Sequence, residues 1–293
     1  MITKFHPIAL QKVWGGSKLS KQYNLNDKKI GEIWGISAHK THSNILLNGA
    51  YKGMTLRQLY KSHNELFGGL QKNEFPLLFK VIDAKDDLSI QVHPSDDYAR
   101  CHENSYGKDE CWYILDTSKT TTNIIIGHRA KSKSEFLSYI NNNKVEEIVN
   151  KYTIKPGDYF YIPAGTVHAI CKGTTLLEVS QSSNITYRVY DYNRLDQGHP
   201  RELHIKKSLD VLTVPDNINK TKHDSKLFTF DIKRNKFISS VTSHIFGDYI
   251  FVIEGQGIIG EINIKKGDFL MVSSRKKYIL QENFTYALIN ISH

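Results

Sequence analysis

Gly157-Asp158-Tyr159-Phe160-Tyr161-Ile162-Pro163-Ala164-Gly165-Thr166-Val167-His168 is the stretch that decides the fold. Gly157-Asp158 signals a turn, because glycine accepts positive φ and the aspartate side chain bonds its own backbone. Tyr159–Ile162 is aromatic and β-branched, which predicts a strand. Pro163 and Gly165 break that strand into a tight corner, and Val167-His168-Ala169-Ile170 begins the next one. The result is a hairpin with one imidazole just past a rigid turn. A histidine held in this way by backbone suits a metal ligand; it suits equally well a histidine that merely caps a barrel corner.

Upstream, Leu88–His93 reads as a strand in which Gln91 and His93, two residues apart, share one face. Glu110 opens another, Cys111-Trp112-Tyr113-Ile114-Leu115. There Glu110 and Trp112 face one way, and Cys111 and Tyr113 the other. Pro76–Asp83 is an apolar strand carrying one charge, Lys80. A lysine in such a strand either snorkels at the strand end or points inward to meet an anion or a carboxylate.

The order of these motifs carries a resemblance. Gly157, Pro163, Gly165 and His168 are spaced like the second signature of the cupin family. Ser89-Ile90-Gln91-Val92-His93-Pro94 followed by Glu110 resembles the first, which usually reads His-x-His and then Glu; here Gln91 stands in place of the first His. More narrowly, Gln91-Val92-His93-Pro94, Phe75-Pro76-Leu77-Leu78-Phe79-Lys80-Val81 and Thr186-Tyr187-Arg188-Val189-Tyr190-Asp191-Tyr192 together resemble the short bacterial form of type I mannose-6-phosphate isomerase. The likeness covers nearly the whole chain and is strongest from Trp14 to Arg194.

That resemblance implies a mainly β fold of two cupin-type jelly rolls with a small helical insertion. It implies one Zn²⁺ per chain, held by His93, Glu110 and His168, with Gln91 as a fourth ligand or a donor just behind the ligands. An amide in place of an imidazole suits Lewis-acid work better than oxygen activation. Arg188 matches the arginine marked catalytic in the family, and Lys80 is the expected contact to phosphate or sugar hydroxyl. The substrate implied is a sugar phosphate, and the reaction an aldose–ketose isomerisation of mannose 6-phosphate to fructose 6-phosphate through an enediol. Two other readings stay open: a cupin metalloenzyme of different chemistry, such as an oxygenase or another sugar-phosphate isomerase, and a cupin that binds sugar without turnover. Each candidate also has a plainer role. Either histidine could be satisfied by hydrogen bonds in the core, Glu110 could pair with Lys80 or Arg188, and Arg188 could pair with Asp191 or Glu178.

Along the chain, Thr55 reads as the N-cap of a helix from Leu56 toward Phe67, stopped by Gly68-Gly69. The paired Gly15-Gly16 after Trp14 lets backbone approach something closely, and Gly31–Ser37 reads as a short alternating strand. Ser132 or Ser134 caps the first of two short helices, with Asn141-Asn142-Asn143 between them, giving an insertion at about residues 131–150. Residues 191–224 read as a polar, irregular connection. Beyond it, Ile262-Asn263-Ile264-Lys265-Lys266-Gly267-Asp268-Phe269 repeats the pattern of Tyr152–Tyr159, but no Pro-x-Gly-x-x-His follows. These features predict a catalytic jelly roll over residues 1–200, and a connection with a second, metal-free jelly roll over 201–293.

The 293 residues are 40% hydrophobic, enough for a core of this size, and carry a net charge of +9. The basic residues are spread out, which favours an anionic metabolite over nucleic acid. Three cysteines without a CxxC pair argue against a disulfide framework and a thiolate zinc site. The N-terminal residues lack a signal-peptide pattern, and no apolar run is long enough to span a membrane. The expectation is a cytoplasmic enzyme, monomer or homodimer, with neither nucleic-acid nor membrane partners.

Overall fold

The computed structural model describes residues 1–27, 29–118, 122–216 and 225–292. It is mainly β, with short helices between strands. Among the described residues, no helix is long and apolar enough to cross a membrane.

The chain forms two compact units that follow packing and not sequence order. One comprises Met1–Ala9, Ile33–Lys80 and His223–His293; the other comprises Leu10–Glu32 and Val81–Lys222. Sequence order alone suggests a division near residue 200. Two N-terminal segments join the C-terminal strands because of pairings that no local pattern reports. Ile2–Lys4 runs antiparallel to Phe269–Val272, and the Phe75 ring packs against Tyr249 at 5.2 Å between centroids.

In the unit holding the decisive stretch, a five-stranded antiparallel sheet has the order Tyr187–Tyr190, Ile90–Val92, His168–Ile170, Asn123–His128, Val149–Thr153. Opposite it, Thr174–Gln181, Glu110–Thr117 and Tyr159–Ile162 lie side by side. The layers enclose a core of Ile124, Ile126 and Ile170 against Trp112, Ile114, Ile162 and Leu176. Alternation does the sorting. Ile125 and Ala169 face the other way, where Phe136, Val145 and Ile148 of the helical insertion cover them. The insertion is two short helices, as expected, Lys133–Asn141 and Val145–Ile148, with Ser132 as the first N-cap.

The other unit carries an eight-stranded sheet whose longest strand is Asp248–Ile259, over a core including Ile250, Val252, Leu270, Tyr278 and Phe284. The sequence repeat is a structural repeat. Gly157 and Gly267 both adopt left-handed φ, +93° and +92°. Asp158 and Asp268 each accept a bond from the backbone N–H three residues earlier, at 2.9 and 2.8 Å. Each turn also clamps a strand of its own unit, through Gly157 N–H to Ile114 O at 2.9 Å and Gly267 N–H to Val252 O at 2.8 Å.

Other local expectations hold or shift for identifiable reasons. Thr55 and Gln58 form a reciprocal capping box, but the helix stops at Ser62 and a 3₁₀ turn, Asn64–Phe67, carries the chain to Gly68 at φ +70°. The alternating strand is Ile30–Ile36, and it is buried throughout. Gly15 and Gly16 make room for the molecule's own atoms: a Cβ on Gly15 would collide with the Lys29–Gly31 backbone, and one on Gly16 with the Asp83 carboxylate. The supposedly irregular connection contains the hairpin of Leu195–Asp196 and His199–Pro200, and the helix Ile205–Val211; residues 217–224 of it lie outside the described residues.

Candidate metal centre

His168 begins its strand as the sequence predicted. The corner before it is fixed by main chain: Gly165, at φ +84°, donates to His93 O at 2.8 Å, and Thr166 donates to Pro163 O at 3.2 Å. One corner thereby anchors both histidines. His93 follows directly on Ile90–Val92, and Glu110 begins the strand across the sandwich.

These three side chains converge. His93 Nε2 and His168 Nε2 are 3.2 Å apart. Glu110 Oε2 lies 3.4 Å from the first and Oε1 3.6 Å from the second. All three residues are at most 1% exposed. Among the described residues this is the one group of three or more potential ligands within reach of a single ion. Cys111 adjoins Glu110 but lies on the opposite face of its strand.

Protonation states follow from the surroundings. His168 Nδ1 lies 2.8 Å from Thr166 O, which can only accept, so Nδ1 carries the proton and Nε2 a lone pair. Burial, and then the Lys108 ammonium, push His93 down to about 3, so its ring is neutral at pH 7. The Lys108 ammonium, which can only donate, lies 3.2 Å from His93 Nε2, so that nitrogen also carries its lone pair, and two imidazole lone pairs and a carboxylate face one another in a buried site. Glu110 Oε1 faces His168, and Oε2 faces both His93 and the Lys108 ammonium at 2.6 Å.

A bound Zn²⁺ fits this donor set. Zinc–ligand bonds of about 2.0–2.1 Å in a tetrahedron separate the ligand atoms by about 3.3 Å, close to the spacings above. Gln91 adds a fourth polar group. It pairs in register with His168, and its side-chain amide lies 3.3 Å from His168 Nε2. The atom at that distance is assigned as nitrogen; amide orientation is set by the hydrogen-bond network, and rotation about the terminal bond presents the oxygen.

The partner of Glu110 is neither Lys80 nor Arg188. It is Lys108, which sequence reasoning passed over. Its ammonium lies 2.6 Å from Glu110, 3.2 Å from Glu178 and 3.2 Å from His93 Nε2, and the residue is 4% exposed. Burial alone would lower the Lys108 pKa, but the two carboxylates outweigh it and raise it, so the ammonium stays charged. Lys108 in turn helps to hold Glu110 well below the usual carboxylate range, against its burial. The available signal was spacing: Lys108 lies two residues before Glu110, which begins the strand, and on that strand Trp112 pairs with Glu178 and Glu110 with Ser180.

Arg188 pairs in register with Gln91, which pairs with His168. Residues directly opposite in an antiparallel sheet share a face, so Arg188, Gln91 and His168 form a row. Asp191, one of the two carboxylates of the plainer reading of Arg188, is held by Arg201 and Arg194. Arg188 Nη1 donates to Glu202 O at 3.0 Å, and its buried Nε has no hydrogen-bond partner. Arg194 is tied to Asp87 O and the Tyr192 ring, a structural role.

Lys80 belongs to the other unit. It is 4% exposed, and its ammonium sits 5.0 Å from the Trp34 ring centroid, a cation–π contact that offsets part of the cost of burial. His128 is buried and spans Thr213 O and the Ala130 N–H.

Comparison with known proteins bears on this geometry. Residues 2–134 match the family described as phosphomannose isomerase type I, catalytic domain. The chain is 42% identical to mannose-6-phosphate isomerase ManA of Bacillus subtilis (strain 168) over 289 residues, covering 92% of this chain and 91% of that protein. It is 44% identical to the probable mannose-6-phosphate isomerase GmuF of the same organism, over 85% of this chain and 79% of that one. The crystal structure of a Bacillus subtilis mannose 6-phosphate isomerase superposes with a TM-score of 0.93 at 37% identity, covering 99% of both chains.

Proposed function

The chain belongs to the type I phosphomannose isomerase family, and from that premise we propose that it interconverts mannose 6-phosphate and fructose 6-phosphate using one zinc ion per chain. The observation that carries the metal is the convergence of His93, His168 and Glu110, two lone pairs and a carboxylate with spacings of 3.2–3.6 Å. Zinc held there supplies Lewis-acid polarisation of the sugar oxygens. We read the second jelly roll as metal-free, because its copy of the turn lacks the histidine corner.

The reaction moves one proton between neighbouring carbons. A base takes the C2 proton of the open-chain aldose while O1 is protonated, giving the 1,2-enediol. Loss of the O2 proton and return of a proton to C1 then gives the ketose. We assign proton transfer to Glu178. It is the second carboxylate on the inner face of the wall that carries Glu110, 3.2 Å from the Lys108 ammonium. Lys108 itself is a fixed cation for charge developing on the sugar oxygens, and its raised pKa makes it a poor base. Arg188, with its guanidinium Nε lacking a partner, serves as an anion contact beside Gln91 and His168. Lys80, buried over Trp34, is the cation we assign to the phosphate or a sugar hydroxyl.

A coupled assay for fructose 6-phosphate formed from mannose 6-phosphate tests the reading. Chelation should abolish turnover and zinc should restore it; turnover unchanged by complete metal removal would overturn the metal's role. In the same assay Glu178→Gln should lower kcat by about 10²–10⁴-fold with metal content unchanged. A kcat within a few-fold of wild type would remove Glu178 from proton transfer.

A further inference from the structure

Arg188 lies on the edge strand of the five-stranded sheet, Tyr187–Tyr190, whose sole neighbour there is Ile90–Val92. The register slips between Arg188 and Tyr190, so sheet pairing alone holds this arginine weakly. A second grip comes from residues 202–204. The His204 N–H donates to Arg188 O at 2.7 Å, and the Arg188 N–H donates to His204 Nδ1 at 3.2 Å. The guanidinium donates through Nη1 to Glu202 O at 3.0 Å. Both backbone groups and the head group of Arg188 are thus held by two residues, Glu202 and His204.

His204 is itself anchored. Its carbonyl accepts from Ser208 N–H and Ser208 Oγ, both at 2.8 Å, at the start of the helix Ile205–Val211. Lys207 of that helix bonds Glu103 at 2.7 Å, and the same carboxylate oxygen accepts from Tyr187 OH at 2.7 Å. The residue before Arg188 is therefore tied to the same helix.

We propose that His204 is a positioning residue for the isomerase reaction, and that its neutral imidazole holds Arg188 in line with Gln91 and His168 and releases it on protonation. The proposal rests on the reading of Arg188 as an anion contact. A protonated imidazole has two N–H groups and no acceptor. Protonation would turn the Arg188 N–H···Nδ1 bond into two opposed donors and add a positive charge beside the guanidinium. Arg188 on the edge strand and Lys207 on the following helix oppose protonation; Glu202 before it and Glu103 on the helix Asp96–Glu103 favour it. The Tyr187 ring lies 6.1 Å away. Burial and then Arg188 prevail, holding the imidazole below its ordinary 6.5. Nδ1 is therefore an acceptor at neutral pH, and the bond is lost on the acid side of that value.

The experiment measures kcat and KM of the zinc-loaded enzyme from pH 5 to 8 in His204→Ala, His204→Asn and Arg188→Ala. The Asn side chain can offer an acceptor near the place of Nδ1 without titrating. His204→Ala should lose about tenfold in kcat at pH 7.5, the scale of one hydrogen bond, with metal content unchanged. His204→Asn should recover most of kcat and lose an acid limb that wild type shows. Arg188→Ala should be nearly inactive. A wild-type acid limb in His204→Asn overturns the proposal even if His204→Ala fails to fold, as does wild-type kcat in His204→Ala beside an inactive Arg188→Ala. Full activity in Arg188→Ala instead removes the reading of Arg188, and the proposal with it.

Discussion

The His168→Ala protein is expected to emerge from purification without zinc and without measurable isomerase activity, yet folded. The fold should survive because main chain builds the corner. Gly165 bonds His93 O, Thr213 N–H bonds Gly165 O at 2.9 Å, and Ala169 and Ile170 keep their register with Ile125 and Ile124. None of these contacts uses the imidazole. Metal binding should not survive, because His168 supplies one of three converging donors. Even a group that only orients a ligand is worth about 10–100-fold in metal affinity, so loss of a ligand should cost more than about 100-fold. Elemental analysis, the coupled assay and circular dichroism on one preparation check this. Full zinc content with full turnover would show that His168 is not a ligand.

Lys108→Met is expected to be the most destabilising single change at the centre when the protein is metal-free. The ammonium lies 2.6 Å from Glu110 and 3.2 Å from Glu178, and all three residues are buried. Methionine fills similar volume but leaves two carboxylates without their cation. Breaking a buried pair in this way costs about 3–5 kcal/mol. The pH dependence has a definite sign. In the wild type, Glu110 is held well below the ordinary carboxylate value of 4.5, so its contribution is present above 4.5 and is lost as pH falls through the depressed value. In the variant, burial acts unopposed by Lys108 and raises the carboxyl pKa, so the penalty is full at neutral pH and is relieved as acid protonates the group. The stability deficit should therefore shrink between pH 7 and pH 5, and zinc should also reduce it by compensating Glu110. Urea denaturation of metal-free and zinc-loaded protein at both pH values checks each statement. A deficit below about 1 kcal/mol at pH 7 would mean that Lys108 is not the counter-charge.

The parts of this site legible in the sequence were those fixed by local chemistry. The Gly157-Asp158 turn, the Pro163–Gly165 corner and the strand after it are dictated by residues within about a dozen positions, and the same turn reappears at Gly267-Asp268. The row His168, Gln91, Arg188 was half legible. The motifs named its members, but only antiparallel register places them side by side. Lys108 escaped because its significance depends on two distant partners. A lysine two residues before a glutamate is unremarkable until the strand is known to lie against Glu178 in a dry interior. The helix Ile205–Val211 was hidden by its polar residues, and with it the grip of His204 on Arg188. The pairing of Ile2–Lys4 with Phe269–Val272 joins the two ends of the chain, and no window of sequence contains both.

The central claim is that His93, Glu110 and His168 form one zinc site. Anomalous diffraction from crystals of the purified, active enzyme, collected on both sides of the zinc absorption edge, tests it most directly. One peak per chain, bounded by the two Nε2 atoms and the Glu110 carboxylate and vanishing below the edge, is the result expected. An active crystal with no anomalous peak among these three residues, or with its zinc elsewhere, would contradict it.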